Sequence, residues 1–194
     1  TIKVNHSPGC GFLYLMWRCL LFMLVWYSSD HTYYKSLHGQ VRFRSHASYE
    51  SIEARSGELK GVVDAKTNGF SFSVSLLSFD GFNSELQKDH YAENYVETEY
   101  YPQARFNGRI IEEVPYNKPG SYAVRAKGIF ELHGVKQNKI IPSILTVVNE
   151  HLIRIQSHFE LNLTEFNVKI PRLVHKKVAE VIEVKVDTEL TLTP

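Results

Sequence analysis

Histidine is the residue of this chain best suited to bind a metal ion or to transfer a proton near neutral pH, and the chain has nine. They are scattered, and downstream of Tyr34 no HxH, HxxxH or CxxC spacing occurs that would place two ligands on one ion. His151 and His158 are seven residues apart, which puts them on opposite faces of a strand. We therefore predict that the chain has no metal site.

Nucleophilic catalysis also lacks its usual signals. The chain has no GxSxG motif, and both cysteines, Cys10 and Cys19, lie within the first twenty residues. No set of acid, base and nucleophile is recognisable along the chain. We predict a protein without a catalytic site, and an enzyme acting on a hydrophobic substrate is one alternative to that prediction.

The charge balance argues against nucleic acid as a partner. The chain carries 22 lysine and arginine residues against 21 aspartate and glutamate residues, for a formal net charge of +1. A surface that binds nucleic acid needs a concentrated basic face, and here the basic residues are spread among acidic ones. With 194 residues, of which 43% are hydrophobic, the chain fits one domain with its own core and some extra sequence at an end.

That extra sequence lies at the N-terminus. Residues 11–27 read GFLYLMWRCLLFMLVWY, and no acidic residue occurs before Asp30. From Met16 onward, MWR forms a short positive region and CLLFMLVWY an apolar one, as in a secretory signal. We predict that residues 1–29 are an upstream extension plus a signal peptide starting at Met16, with an uncleaved anchor or a buried helix as alternatives. The protein would then be periplasmic or secreted, and would contact the membrane only through this segment.

Downstream of Tyr34 the pattern becomes an alternation of apolar and polar residues, which is typical of strands with one dry and one wet face. Four long segments show this alternation: 69–77, 121–132, 151–163 and 182–192. Four shorter segments are consistent with strands: 41–44, 59–64, 104–112 and 140–148. Short connections with turn residues, such as KTNG and NKPGS, indicate antiparallel neighbours. We predict an all-β, closed or nearly closed antiparallel barrel of about eight strands, with a sandwich as the alternative.

One helix is predicted between two of these strands. Ser84 and Gln87 have the spacing of a capping box, and the segment can stay helical to about Glu99, before Pro102 ends it. A helix of this length can lie across one mouth of a barrel, where its tyrosines seal the edge. We expect Leu86, Tyr91 and Tyr95 to anchor it.

The inward-facing residues decide whether such a barrel is hollow. Small residues, namely Gly108, Ala126, Gly128 and Ser157, share faces with large aromatic ones. An eight-stranded barrel can be filled by its own side chains or can hold one small apolar ligand, and small residues favour the ligand. The glycines could equally mark bends of a filled barrel, so periodicity leaves both interiors open.

Four segments of the chain resemble the YceI-like family in their order and spacing. They are residues 39–74, residues 79–110, AKGIFELHGV and TEFNVKIPRLVHKKVAEVIEVKV. A helix carrying His90, the YPxAxFxG run from Tyr101 to Gly108 and the LHG run at 132–134 are specific in combination. The resemblance spans residues 35–186, and the ENYVETEYYP stretch is similar to members from the Bacteroidetes.

The resemblance implies a lipocalin-like barrel over residues 35–194 that holds a polyisoprenoid chain. We therefore expect an exported carrier or reservoir for a polyisoprenoid or an isoprenoid quinone, with no cofactor beyond such a lipid. The alternative is a structural or interaction barrel of the cell envelope with a filled core. The residues expected to contact the ligand are Phe70, Phe72, Val74, Leu76, Phe106, Gly108, Tyr122, Val124, Phe130, Ile155 and Phe159.

Two histidines of the family motifs have separate expected roles. His90 either offers an N–H to a ligand head group at the mouth or ties the helix to a strand carbonyl. His133 lies on the outer parity of its strand just before Gly134, which favours a role in stabilising the turn.

Overall fold

The alternating segments form eight strands that close into a barrel. A computed structural model describes residues 32–171 and 176–193 of the protein. In chain order the strands are β1 (Tyr33–His46), β2 (Ser51–Asp64), β3 (Gly69–Ser75), β4 (Gln103–Ile110), β5 (Gly120–Leu132), β6 (Val135–Asn149), β7 (Leu152–Asn162) and β8 (Val181–Thr193). Each strand pairs antiparallel with the next, and β1 also pairs antiparallel with β8. The prediction of an antiparallel barrel of about eight strands is confirmed, and the sandwich alternative is wrong.

The predicted N-terminal signal segment, residues 1–29, lies outside the described residues. Within residues 32–171 and 176–193, no helix is both long enough and apolar enough to cross a membrane. The same part of the chain contains no cluster of three or more histidine, cysteine, aspartate or glutamate side chains that could hold a metal ion.

The two ends of the barrel differ in what lies across them. The β1–β2 and β5–β6 turns lie at one end, together with the helical insert, and we call this the helix end. The β2–β3, β4–β5 and β6–β7 connections lie at the other end, which we call the closed end. This arrangement follows from the up-and-down order of the strands, because alternate connections in such a barrel fall on the same side.

The closed end is filled by a packed cluster of side chains. Leu145, Ile153 and Leu190 have no exposed surface there. The ring of Tyr34 stacks on that of Tyr116 with 5.7 Å between centroids, and the Tyr34 hydroxyl donates a hydrogen bond of 2.7 Å to the carbonyl of Glu150. Burial raises the pKa of the Tyr116 phenol above its ordinary value. These contacts pack the closed end around Tyr34, Ile153 and Leu190.

Toward the helix end, parts of the wall are built from segments that are not strands. The β2–β3 ladder covers only Lys60 to Val63 of β2, and the β6–β7 ladder begins at the Ser143–Ser157 pair. A 3-10 turn at Leu76–Ser78 and the residues after it run beside β2, where Asp80 forms an isolated bridge with Arg55. A second 3-10 turn, Leu163–Phe166, follows β7 and buries Phe166 completely.

The helical insert begins where its capping residues predict. Helix α1 spans Glu85–His90, and the Ser84 hydroxyl oxygen accepts a hydrogen bond from the backbone N–H of Gln87 at 3.2 Å. A π-helical turn, Tyr91–Tyr95, continues it. The predicted end at about Glu99 is too late, because Glu97 adopts a left-handed backbone with φ of 47° and the helix stops before it.

Candidate ligand cavity

A cavity of about 480 Å³ lies inside the barrel and extends from the helix end to Val63, Ile110 and Leu145 of the closed-end cluster. This volume lies within the range of about 300–1,000 Å³ that small-molecule sites occupy. Its walls are mainly aromatic and aliphatic side chains from the strands, and its mouth lies between α1, the β1–β2 turn and residues 177–178. The interior is therefore filled at the closed end and hollow at the helix end, which combines the two arrangements that periodicity left open.

Most of the residues predicted to contact a ligand line this cavity. The structure brings together Phe70, Phe72, Val74, Leu76, His90, Phe106, Val124, Phe130, Ile155 and Phe159. Phe72, Phe130 and Phe159 keep part of their ring surface exposed although they point into the barrel. A ring inside a filled core would be buried on all sides, so this exposure is surface that faces the cavity.

Gly108 and Tyr122, two of the residues expected to contact the ligand, are not among the residues that line the cavity. Gly108 lies opposite Gly128 in the β4–β5 ladder, and a Cβ at Gly108 would lie 2.1 Å from the carbonyl oxygen of Lys127. Its missing side chain allows two backbones to approach closely and does not enlarge the cavity. Tyr122 packs at the closed end, where its hydroxyl donates to the carbonyl of Lys118 at 2.9 Å.

An aromatic cluster under the helical insert forms the roof of the cavity. Tyr91 stacks on Phe43 with 5.7 Å between ring centroids, and its centroid is 4.9 Å from that of Phe82. The Tyr91 hydroxyl donates a hydrogen bond of 3.1 Å to the carbonyl of Leu76, at the end of β3. Burial raises the pKa of the Tyr91 phenol, so the group stays a neutral donor.

The other two predicted anchors of the helix, Tyr95 and Leu86, differ from each other in burial. Tyr95 is half-buried and packs against the core of the helix end, as predicted. Leu86 is 64% exposed, so its assignment as an anchor is wrong. Val96 follows the π-helical turn, is only 6% exposed and packs into the core where Leu86 was expected to pack. The π-helical turn changes which side chains face the barrel, and a period of 3.6 residues does not foresee that rotation.

His90 lies at the mouth of the cavity, and its side chain is exposed. It makes no hydrogen bond with any residue in the described ranges. The tie to a strand carbonyl that was one alternative for His90 is made by the neighbouring Tyr91. His90 is therefore free to contact a ligand.

His133 lies outside the cavity and holds a turn. It has a left-handed backbone with φ of 50°, and Gly134 follows with φ of 72°, so the pair forms the tight β5–β6 turn. Its ring contacts the edge of Tyr101 with 4.6 Å between centroids. The preference for a turn-stabilising role over a ligand contact agrees with this geometry.

Several polar side chains of the cavity lie at its mouth, whereas Ser143 and Ser157 hydrogen-bond each other in its strand wall at 2.7 Å. Oε1 of Glu50 accepts hydrogen bonds from Nε2 of Gln87 and from Nδ2 of Asn83, both at 3.0 Å. These bonds join the β1–β2 turn to the start of α1. Lys177 lines the mouth from the segment before β8, and sequence reasoning missed it because nothing in that segment shows a strand or helix period.

Comparisons with known proteins agree with this architecture. A YceI-like domain profile matches residues 33–190. No curated protein sequence matches the chain significantly. A polyisoprenoid binding domain from Saccharophagus degradans superposes with a TM-score of 0.72 at 12% sequence identity, over 84% of this chain and 100% of that domain.

Two further solved structures share the barrel. BcnA from Burkholderia cenocepacia gives a TM-score of 0.65 at 18% identity, over 79% of this chain and 96% of that one. A YceI protein from Campylobacter jejuni gives 0.58 at 10% identity, over 77% and 89% respectively. At these identities the likeness shows the fold alone, whereas the profile match covers most of the chain. The chain therefore belongs to the YceI-like domain family.

Proposed function

We propose that this protein binds one long apolar ligand, a polyisoprenoid or an isoprenoid quinone, in the cavity of its barrel, and serves as a carrier or reservoir without catalysis. The observation that carries the proposal is the set of partly exposed phenylalanine rings, Phe72, Phe130 and Phe159, around a cavity of about 480 Å³. An apolar ligand that fills this cavity buries its own apolar surface and that of the cavity wall, and this burial favours binding. Each methylene transferred from water into such a cavity stabilises the complex by about 0.8 kcal/mol.

The comparisons support the class of ligand. The domain from Saccharophagus degradans that shares the fold is described as polyisoprenoid binding. A prenyl chain is flexible, long and apolar, so it can follow the aromatic walls from the mouth toward the packed closed end. The polar groups near the opening then remain available for a head group, as expected of a site whose few polar groups set orientation.

Export is part of the proposal and rests on the sequence. The basic MWR segment and the apolar run after it match the order of a secretory signal, and the strands begin shortly afterwards, at Tyr33. Expression from Met16 in a bacterial host should yield protein outside the cytoplasm with a shortened N-terminus, which mass spectrometry of the intact chain measures. Full-length protein recovered from the cytosol alone would contradict export.

Binding is tested by extracting natively expressed protein with organic solvent and identifying the extract by mass spectrometry. We expect an isoprenoid-type lipid in near-stoichiometric amount. Val74 lines the cavity and is 8% exposed, so Val74→Trp should occupy ligand space and lose the lipid while circular dichroism shows retained strand content. Ser71→Trp is the matched control, because Ser71 lies on the outer face of the same strand and should leave the lipid bound.

Two results together would contradict the proposal. Wild-type protein would carry no lipid and take up none when offered prenyl chains, and Val74→Trp would unfold, as expected of an overpacked core. That outcome would favour a structural or interaction barrel of the cell envelope.

A further inference from the structure

The side chains at the mouth of the cavity include one carboxylate and two basic groups. Glu50 is the one carboxylate among the described residues that line the cavity, and its Oε1 already accepts two amide N–H groups. The Gln87 side chain is also engaged, because its Oε1 accepts the N–H of Asn83 at 3.0 Å while its Nε2 donates to Glu50. The basic residues that line the cavity are His90, Lys177 and Arg105, and the guanidinium of Arg105 donates two hydrogen bonds to Oε1 of Gln103, at 3.1 and 3.2 Å.

Lys177 belongs to a segment whose position is defined by hydrogen bonds to β1 and its turn. The N–H of Tyr49 donates to the carbonyl of Lys176 at 2.9 Å, and the N–H of Ala179 donates to Oγ of Ser45 at 2.8 Å. Ser45 is 2% exposed and itself lines the cavity. Lys177 is thus held beside the opening by bonds on both sides of it.

The two neighbouring lysines have different surroundings. Nζ of Lys176 lies 5.2 Å from the centroid of the Tyr49 ring, in a cation–π contact outside the cavity. Lys177 lines the cavity and forms no ion pair with the residues of ranges 32–171 and 176–193. The carboxylate of Asp80, near the start of the insert, is occupied by Lys88 at 3.3 Å. An ammonium group at the end of an apolar cavity, without a carboxylate partner, suits an anionic ligand group.

We propose that the mouth selects apolar chains that end in an anionic, hydrogen-bond-accepting head group of the phosphate class, with Lys177 as its charged contact and His90 as a second donor. This inference rests on the proposed function, because the head group reaches the mouth only if the chain fills the cavity. The acidic residues near the mouth are Glu50, whose carboxylate is hydrogen-bonded to two amides, and the exposed Glu85 and Asp89 of α1. Among the described residues that line the cavity, Lys177 is the cationic side chain without a hydrogen-bond partner, because the guanidinium of Arg105 is bonded to Gln103.

The test compares two probes that share one chain and differ in the head group, farnesol and farnesyl monophosphate. Affinity of lipid-stripped protein for each is measured by competition against a fluorescent prenyl probe at low salt. For the wild type we expect the phosphate to bind about threefold to tenfold more tightly than the alcohol. The advantage should shrink in 0.5 M salt because an exposed charge pair is screened, with a Debye length of only a few Å at that ionic strength, roughly 4 Å.

Lys177→Gln should remove most of the preference for the phosphate, and its binding of farnesol, which lacks the anionic group, shows that the variant is folded. Lys176→Gln is the matched control, because it removes an adjacent charge outside the cavity and should keep the preference. His90→Ala should reduce the preference less than Lys177→Gln does. Equal affinity of the wild type for both probes, or equal effects of the two lysine substitutions, would overturn the head-group inference alone. Failure of both probes to bind the wild type would overturn the proposed function as well.

Discussion

Oε2 of Glu97 lies 3.0 Å from Nε2 of His133, and the other ring nitrogen of His133 lies 3.1 Å from the carbonyl oxygen of Phe166. This one side chain therefore connects three segments of the helix end: the β5–β6 turn, the residues after the helical insert and the 3-10 turn after β7. Carboxylate and carbonyl oxygens both accept hydrogen bonds, so both ring nitrogens donate when the imidazole carries two protons.

Replacing His133 should weaken the barrel in a graded way. His133→Ala loses both contacts and places alanine in a left-handed backbone, so the free energy of unfolding should fall by about 1–3 kcal/mol. His133→Asn should cost less, because asparagine tolerates that backbone and its amide can still donate to Phe166. Urea unfolding of both variants measures the difference, and equal losses would contradict the role assigned to the two hydrogen bonds.

The hydroxyl of Tyr91 should hold the helical insert on the barrel. Tyr91→Phe removes its hydrogen bond to Leu76, and we expect a loss of about 0.5–1.5 kcal/mol in the free energy of unfolding. Hydrogen exchange should become faster at the amides of α1 and the π-helical turn while the strand amides stay protected. Leu86→Ser is the control, since Leu86 is 64% exposed and should change neither quantity. Uniform loss of protection across the barrel would show that the insert is part of the core.

Gly108 should tolerate no side chain. A Cβ there would lie 2.1 Å from the Lys127 carbonyl oxygen and 2.6 Å from Cα of Gly128, and both are backbone atoms that move only if β4 and β5 separate. Gly108→Ala should therefore reduce the free energy of unfolding by about 1–3 kcal/mol or more. Gly57→Ala is the matched control, because a Cβ at Gly57 meets nothing within 4 Å. Similar stabilities of the two alanine variants would contradict the close approach.

The ion pair between β7 and β8 should make stability depend on pH in the acid range. The guanidinium of Arg154 hydrogen-bonds both carboxylate oxygens of Asp187, with 2.8 Å from Nε to Oδ1, and lowers the pKa of that carboxyl; Gln156 adds a third hydrogen bond. A lowered pKa in the folded state means that the stabilisation is present above the unfolded value of about 3.9 and is lost as the pH falls through the folded value.

Asp187→Asn should accordingly cost about 0.2–1 kcal/mol at pH 7, the range of a half-exposed pair, and almost nothing near pH 2. Arg154→Gln should cost a similar amount at pH 7, and the double variant should cost little more than either single one. Denaturant unfolding at the two pH values measures this. A deficit of Asp187→Asn that is the same at both pH values would contradict the pKa argument.

Strand parity placed most of the site correctly from the sequence. Phe72 and Val74 alternate with serines along β3, and both line the cavity as predicted. The start of α1 at Ser84 followed from the capping spacing with Gln87. These features depend on residues close together in sequence, because side-chain direction in a strand alternates every residue and a cap needs only one turn of chain.

Other features of the site depend on contacts between distant segments. Gly108 was expected to contact the ligand but is not in the cavity lining, because parity gives the direction of a side chain and says nothing about how close the facing backbone comes. Lys177 was missed because its place at the mouth depends on hydrogen bonds to β1 and the β1–β2 turn, far away in sequence.

The sequence by itself determined the strand order, the antiparallel pairing through short turns, the inward faces of β3, β5, β7 and β8 and the position of the helical insert. Only the tertiary structure decided that the interior is packed around Ile153 and Leu190 at one end and open around Phe72 and Phe159 at the other. The physical reason is that alternation sets which way a side chain points, whereas the space between opposing side chains depends on the distance across the closed barrel, which no local pattern encodes.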